Sequence, residues 1–150
     1  MGLVAELGGG PVGLDTAVFI YFIEEQPAYL PLILPLFEEA DQGKRMLITS
    51  ALTLLEVLVV PYRKLDVRLA QRYEILLTRS RGVRLIDLTQ ALLRTAAQLR
   101  AGAAIKTPDS LQLAAALTAG CKTFVTNDRR LPQVPALRIV ELGSYSNSGR

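Results

Sequence analysis

Short apolar segments alternate along the chain with longer helical segments, and this alternation limits the possible folds most strongly. Strands are predicted at residues 12–14, 45–50, 83–88, 122–128 and 137–142. Helices are predicted at residues 16–26, 29–43 (in its second half), 51–65, 66–82, 89–104 and 107–120. Strands that alternate with helices form a parallel sheet covered on both faces. The pattern therefore predicts an α/β fold, a single domain with three α/β/α layers around a short, mostly parallel central sheet.

Prolines and glycines indicate where the predicted helices begin and end. Thr107 is a favourable N-cap for the helix at 107–120, with Pro108 at the first helical position and Gly120 beyond its end. Pro61 is expected to bend or end the helix at 51–65, because proline lacks the amide proton that the helix interior needs.

The domain organisation follows from length and composition. A chain of 150 residues, half of them hydrophobic, can bury one substantial core. We expect a flexible, glycine-rich lead-in at 1–11, the folded domain at 12–142 and a C-terminal tail at 143–150. No apolar segment is long enough to cross a membrane, and no basic region precedes the first apolar residues as in a secretory signal. Cys121 is alone, so disulfides play no part and a cytoplasmic location is expected.

The absence of histidine restricts the chemistry. With no histidine and one cysteine, Ser–His and Cys–His nucleophiles and His-ligated zinc sites are excluded. Catalysis would have to use carboxylates, hydroxyls, lysine or arginine. The net charge of +3, carried mostly by arginine, mildly favours an anionic partner.

Two aspartates follow predicted strands. Asp15 comes directly after the first strand and Asp128 after the fourth. Ligands of such sheets bind where strands end and the strand order reverses, so both carboxylates would share one edge if these strands are neighbours. A third aspartate, Asp109, lies in the first turn of a helix. Each has a structural alternative, because aspartate also caps helices, favours their first turn and pairs with arginine.

Glu56 lies inside the apolar run ALTLLEVLVV. A helix that is apolar around most of its circumference is usually buried, so we expect Glu56 to be buried too. A buried carboxylate must be paired, protonated or bound to a cation, since an isolated buried charge costs several kcal/mol.

Acids gathered at one edge would repel each other and raise one another's pKa unless a cation holds them ionised. Ligands that are all oxygen indicate a hard cation, Mg²⁺ or Mn²⁺. Such an ion can activate water and offset the charge of a phosphodiester, so hydrolysis of phosphodiesters fits this residue set.

Four segments together resemble those of PIN domain nucleases, in particular the VapC-type toxins of bacterial toxin–antitoxin pairs. They are GLDTAVFIYF, SALTLLEVLV, IKTPDSLQLAAAL and TFVTNDRRL, and the resemblance extends over about residues 12–142. It implies a PIN-like parallel sheet with the strands before Asp15 and Asp128 adjacent. It also implies a Mg²⁺- or Mn²⁺-dependent endoribonuclease acting on RNA.

The resemblance assigns roles by position. Asp15, Glu56, Asp109 and Asp128 match the acidic quartet that holds the metal, with Glu56 acting through water or orienting the attacking water. Thr126 matches the family's hydroxyl residue, although it could simply be a strand residue. Weaker candidates for contact with the substrate, each also explicable as a structural or solvated residue, are Thr16, Lys106, Asn127, Arg129 and Arg130.

The apolar segments AVFIYFI and YLPLILPLF exceed what a small core needs and are interpreted as an interface. By the resemblance, the partners would be a second copy of the chain, giving a homodimer, and a cognate antitoxin. Two other hypotheses stay open: a housekeeping PIN nuclease in RNA processing, and a catalytically idle fold that binds RNA or protein.

Overall fold

The computed structural model describes residues 2–146, and within this range the chain forms five strands and eight helices. The strands are β1 (Val12–Leu14), β2 (Leu47–Ser50), β3 (Val83–Ile86), β4 (Thr123–Thr126) and β5 (Arg138–Glu141). The helices are α1 (Leu3–Leu7), α2 (Thr16–Ile23), α3 (Leu30–Asp41), α4 (Leu52–Arg63), α5 (Val67–Arg79), α6 (Gln90–Gly102), α7 (Thr107–Thr118) and α8 (Gly143–Ser146).

The strands form one sheet with the order β3-β2-β1-β4-β5, and all neighbouring pairs are parallel. From β1 the chain builds outward through β2 and β3, then returns to place β4 and β5 on the other side of β1. The strand order therefore reverses between β1 and β4, where the carboxyl ends of the strands leave a crevice. The predicted parallel α/β fold, with β1 and β4 as neighbours, is confirmed.

Helices cover both faces of the sheet. Helices α1 to α5 pack on one face, where Phe19, Ile33 and Tyr73 are buried in the core. Helices α6 and α7 pack on the other face, where Leu92 and Leu113 are buried. Side chains alternate along each strand and supply both cores. The arrangement is the predicted three-layer α/β/α sandwich.

Gly13 on β1 leaves the space in which helix α7 and β4 pack against it. A Cβ atom at Gly13 would stand 2.8 Å from Ala116 Cβ and 2.8 Å from Phe124 Cδ1, so a larger residue would force α7 or β4 to move. Since α7 precedes β4 and runs back along the sheet, its first turn lies at the edge where the strands end. Gly13 thus fixes the helix that carries Asp109.

Several helix boundaries differ from the sequence prediction, three of them at prolines or at a predicted cap. Helix α3 starts at Leu30, earlier than expected, because Pro31 lies in the first turn, where no amide donor is required, and the helix also accommodates Pro35. Helix α4 passes Pro61 and ends at Arg63. The N-cap of α7 is Lys106, not Thr107, whose hydroxyl accepts a hydrogen bond from Arg100 Nη1 at 2.9 Å.

Within the segment 1–11, where we expected a flexible lead-in, residues Leu3–Leu7 form helix α1. Leu3 and Leu7 of α1 are buried against the core. The glycine-rich loop that follows is held by buried Arg45, which donates to Gly10 O at 2.9 Å and to Gly8 O at 2.7 Å. The expected tail at 143–150 begins with α8, and its residues 147–150 lie outside the described part.

None of the helices formed by residues 2–146 has the length and apolar character needed to cross a membrane.

Candidate active site

Asp15 lies at the point where the strand order reverses. It is the N-cap of α2, and its Oδ1 accepts a hydrogen bond from the Thr16 amide at 2.8 Å. Its own amide donates to Val125 O on β4 at 3.0 Å, which extends the β1–β4 pairing to the end of the strands. The capping role considered from the sequence is therefore present, and it leaves Oδ2 directed towards β4.

Thr126 connects two of the predicted acids. This residue ends β4 and is fully buried. Its Oγ1 donates to Asp15 Oδ2 at 2.7 Å and accepts from the Asp128 amide at 3.1 Å. A single hydroxyl thus orients the carboxylate after β1 and the turn that carries the carboxylate after β4.

Asp128 has a basic partner. Its Oδ1 accepts from the Arg130 amide at 2.9 Å and from Arg130 Nε at 3.2 Å. These two hydrogen bonds hold the pKa of Asp128 below its usual range. Asp128 therefore caps the turn and forms an ion pair with Arg130, which is the structural alternative considered from the sequence. Arg129 instead has its Nε 3.5 Å from Glu141 Oε1.

Asp109 faces the other acids from the first turn of α7. A small cavity of about 80 Å³ is lined by Asp109 and Asp128 together with Lys106 and Arg130. Burial raises the pKa of Asp109, and the negative charges of Asp15, Asp128 and Glu56 raise it further. Partial burial also raises the pKa of Asp15, against the effect of its hydrogen bonds from Thr126 and Thr16. Asp109 is therefore close enough to the other three acids to be affected by their negative charges.

Glu56 is exposed, so the prediction that it is buried was wrong. The outward face of α4 is apolar but uncovered, with Leu55 61% exposed and Val60 48% exposed. The apolar run around Glu56 therefore belongs to a helix with an exposed apolar face and not to a fully buried helix. Glu56 nevertheless points towards the site, because its Oε1 accepts a hydrogen bond from Thr16 Oγ1 at 2.7 Å.

A buried polar network beneath the acids was not anticipated. Thr16 Oγ1 lies 2.9 Å from Thr53 Oγ1, which in turn lies 2.7 Å from Thr49 Oγ1. The carboxamide of Gln112 contacts all three hydroxyls. The sequence signal was the glutamine that interrupts the apolar run SLQLAAAL of α7, since buried polar side chains need partners.

The candidates for substrate contact differ in their accessibility. Thr16 is buried, and its hydroxyl is engaged by this network. Asn127 donates from Nδ2 to the Tyr21 hydroxyl at 3.0 Å. Lys106, Arg129 and Arg130 are exposed near the carboxyl edge of the sheet. All three cations are therefore accessible to an anionic ligand at the edge that carries the acids, although Arg129 also pairs with Glu141 and Arg130 with Asp128.

The donor chemistry of the site suits a hard divalent cation. Its candidate ligands are all carboxylate oxygens, and within residues 2–146 no lysine or arginine forms a salt bridge with Asp15, Glu56 or Asp109. As placed, however, no three acidic or cysteine side chains of the described range stand close enough to enclose one ion.

Known proteins resemble the chain in sequence pattern and in fold. The sequence model of the family described as PIN domain matches residues 12–137. No curated protein shows significant sequence similarity to the chain.

Three solved structures share the fold. A chain in the structure of VapBC2 from Rickettsia felis, bound to a promoter DNA fragment, superposes with a TM-score of 0.65 at 19% identity, over 88% of this chain and 98% of that one. A toxin–antitoxin complex from Klebsiella pneumoniae gives 0.62 at 19% identity, over 85% and 94%. DNA-bound VapBC from Salmonella typhimurium gives 0.59 at 20% identity, over 90% and 99%.

Proposed function

The chain belongs to the PIN domain family, and we propose that it is a Mg²⁺- or Mn²⁺-dependent endoribonuclease that acts as the toxin of a toxin–antitoxin pair. One observation supports the catalytic part most strongly. Asp15 and Asp128 follow adjacent strands and share Thr126, while Asp109 faces them and has its pKa raised by burial and, further, by their charges. Carboxylates that repel one another at the edge of a sheet are an arrangement that a divalent cation stabilises.

We assign the metal ligands by position in this arrangement. Asp15, Asp109 and Asp128 would hold Mg²⁺ or Mn²⁺, and Glu56 would hold it through water. A bound divalent ion would lower the pKa of a water molecule and offset the charge of the scissile phosphodiester. Without a cation, the negative charges of the acids would oppose the approach of RNA.

The chain's own residues would orient the reacting groups. The hydrogen bond from Thr126 fixes the rotamer of Asp15 and favours its ionised form, which is the form that binds cations. Glu56 is exposed and can accept a proton from the attacking water. Lys106, Arg129 and Arg130, all exposed at the same edge, would contact the RNA backbone.

The proposed partners are a cognate antitoxin and a second copy of the chain. We expected the apolar interface in residues 17–23 and 29–37, where the large apolar side chains other than Leu34 are buried in the core or packed half-buried against it. Within residues 2–146, most of the exposed large apolar side chains lie on α4, α5 and the turn between them: Leu55, Val59, Val60, Tyr62, Leu65, Val67 and Ile75. We call this set the α4–α5 patch. An uncovered patch of this kind suits a protein partner.

Toxin, housekeeping nuclease and idle binding fold make different predictions. All four acids are present, which favours catalysis over an idle fold. The toxin role draws its support from the toxin–antitoxin complexes that share the fold, and it implies action in the cytoplasm. Expression of the wild type should arrest growth, and Asp15→Asn should relieve the arrest. Normal growth with active, soluble wild-type protein would favour the housekeeping role.

RNA cleavage tests the catalytic proposal. Purified wild type should cut single-stranded RNA with Mg²⁺ or Mn²⁺ and stop on addition of EDTA. Asp15→Asn should be inactive under both conditions. Cleavage by the wild type that persists in EDTA would refute the metal-dependent mechanism.

A further inference from the structure

Gln112 is a buried polar residue with a complete set of hydrogen bonds. It lies on α7 and is 2% exposed. Its Oε1 accepts from Thr49 Oγ1 at 3.0 Å and from the Ser50 amide at 3.2 Å. Its Nε2 donates to Thr53 Oγ1 at 2.7 Å and to Thr16 Oγ1 at 3.1 Å. All four hydrogen-bonding positions of the carboxamide are therefore used.

The backbone fixes the orientation of this carboxamide. The amide of Ser50 can only donate, so Oε1 must face it and Nε2 must face Thr16 and Thr53. Thr16 Oγ1 thus accepts a hydrogen bond from Gln112. Its own proton is then available for the contact with Glu56 Oε1 at 2.7 Å, in which the carboxylate accepts. The orientation of the Gln112 carboxamide therefore favours, through the Thr16 hydroxyl, the hydrogen bond to the exposed carboxylate of Glu56.

Gln112 also connects the elements that carry the predicted acids. Thr16 is adjacent to Asp15 at the start of α2, and Thr53 lies on α4 with Glu56. Asp109 lies in the first turn of α7, the helix of Gln112 itself. One side chain therefore joins α2, α4 and α7 below the carboxylates.

We propose that Gln112 is a positioning residue, which holds Thr16 and the start of α4 so that Glu56 is directed into the site. The inference rests on the proposed nuclease function and adds to it a residue with no ligand contact of its own. An apolar side chain would fill the same space without the cost of burying a carboxamide. The presence of a glutamine at this buried position is explained if its hydrogen bonds align the acids.

The test compares two substitutions that introduce the same side chain. Gln112→Met removes the carboxamide with little change in volume. Leu113→Met, at the next residue of α7, changes packing at an equally buried position that has no side-chain hydrogen bond to lose. Measured per folded protein, Gln112→Met should lower kcat by about 10- to 100-fold, as loss of an outer-shell partner does, while KM for RNA changes little. Leu113→Met should keep the wild-type kcat.

A double-mutant cycle with Glu56→Ala identifies the route of the effect. If Gln112 acts through Thr16 on Glu56, adding Gln112→Met to Glu56→Ala should lower kcat by much less than it does in the wild type. The same cycle is run on chemical unfolding, where the combined shift in midpoint should be smaller than the sum of the two single shifts.

The outcomes separate this inference from the proposed function. An inactive wild type would refute the function, and the unfolding cycle alone would then decide the role of Gln112. Additive unfolding shifts, or equal losses of kcat in Gln112→Met and Leu113→Met, would overturn the positioning role.

Discussion

Thr126 Oγ1 donates a hydrogen bond to Asp15 Oδ2 at 2.7 Å, although the two residues are 111 positions apart in the chain. The contact crosses the boundary between β4 and β1, where the strand order reverses. It places a neutral donor, and not a cation, against the buried side of a carboxylate whose pKa is raised by burial. Asp15 is therefore oriented without being neutralised.

Removal of the Thr126 hydroxyl should mainly lower the rate of RNA cleavage and should have a smaller effect on stability. Thr126→Val keeps the shape of the side chain but leaves Asp15 Oδ2 and the Asp128 amide without their partner. We expect RNA cleavage to fall by about 10- to 100-fold. The free energy of unfolding should fall by roughly 1.5–3 kcal/mol, as for a hydrogen bond to a charged group. Single-turnover cleavage and urea unfolding measure the two effects.

Thr123→Val is the matched control for this substitution. Thr123 begins the same strand and is buried, but it lies at the opposite end from the acids. Its variant should cleave RNA at the wild-type rate. Equal losses of activity in the two variants would mean that the Thr126 hydroxyl stabilises strand β4 and does not orient the acids.

Asp109 should destabilise the metal-free protein at neutral pH. Its folded-state pKa is raised by burial and by the other acids, whereas the pKa of an unfolded aspartate is about 3.9. The folded state then holds its proton more tightly, so stability falls as pH rises from about 4 through the folded-state pKa. In EDTA, Asp109→Asn should be more stable than the wild type at pH 7, and the difference should shrink below about pH 4. Thermal unfolding at both pH values measures this; lower stability of the variant at pH 7 would contradict the repulsion.

The fold was predictable because its determinants are local and periodic. Apolar strands such as TFV and helices with clear ends, such as the one ending before Gly120, are visible in short windows of sequence. The adjacency of β1 and β4 followed from the resemblance to PIN domains, since pairing of distant strands has no local signal. The packing of α1 was missed because the adjacent glycines indicate a loop, while Arg45, distant in the chain, holds that loop in place.

The site was predictable in its acids but not in their environments. Periodicity identified the apolar helix around Glu56 but could not tell a core face from the uncovered face that Leu55 and Val60 form. The contacts of Gln112 depend on three elements meeting in space, so its role could not be inferred from the sequence. The pairing of Asp128 with Arg130, and not with Arg129, depends on the conformation of the turn.

Arg130 should compete with the metal ion for the Asp128 carboxylate, and it should also contribute to RNA binding. Arg130→Gln removes the Nε contact at 3.2 Å, so Mn²⁺ affinity should stay equal or rise. KM for RNA should rise, and the salt dependence of log(kcat/KM) should lose a slope of about 0.7, as for one phosphate contact on a single strand. Arg138→Gln, at the amino end of β5, is the control and should match the wild type in both measurements. Weaker Mn²⁺ binding by Arg130→Gln would contradict the competition.

The α4–α5 patch should control association without contributing to the core. Leu55 is 61% exposed, so the double substitution Leu55→Ser and Val59→Ser should leave the thermal midpoint close to that of the wild type. If copies associate through this patch, light scattering should show a dimer for the wild type and a monomer for the variant. A wild type that is monomeric at all concentrations, or a variant that stays dimeric, would exclude this surface as the homodimer interface.

Calorimetric titration with Mn²⁺ measures metal binding by the four acids alone, because it requires neither RNA nor a partner. We expect the wild type to bind Mn²⁺, and Asp15→Asn and Asp128→Asn each to lose most of the affinity. Glu74→Gln, which removes an exposed acid of α5 remote from the site, should bind as the wild type does. A wild type that takes up no Mn²⁺, or an Asp15→Asn variant that binds it equally well, would refute a metal site at these acids.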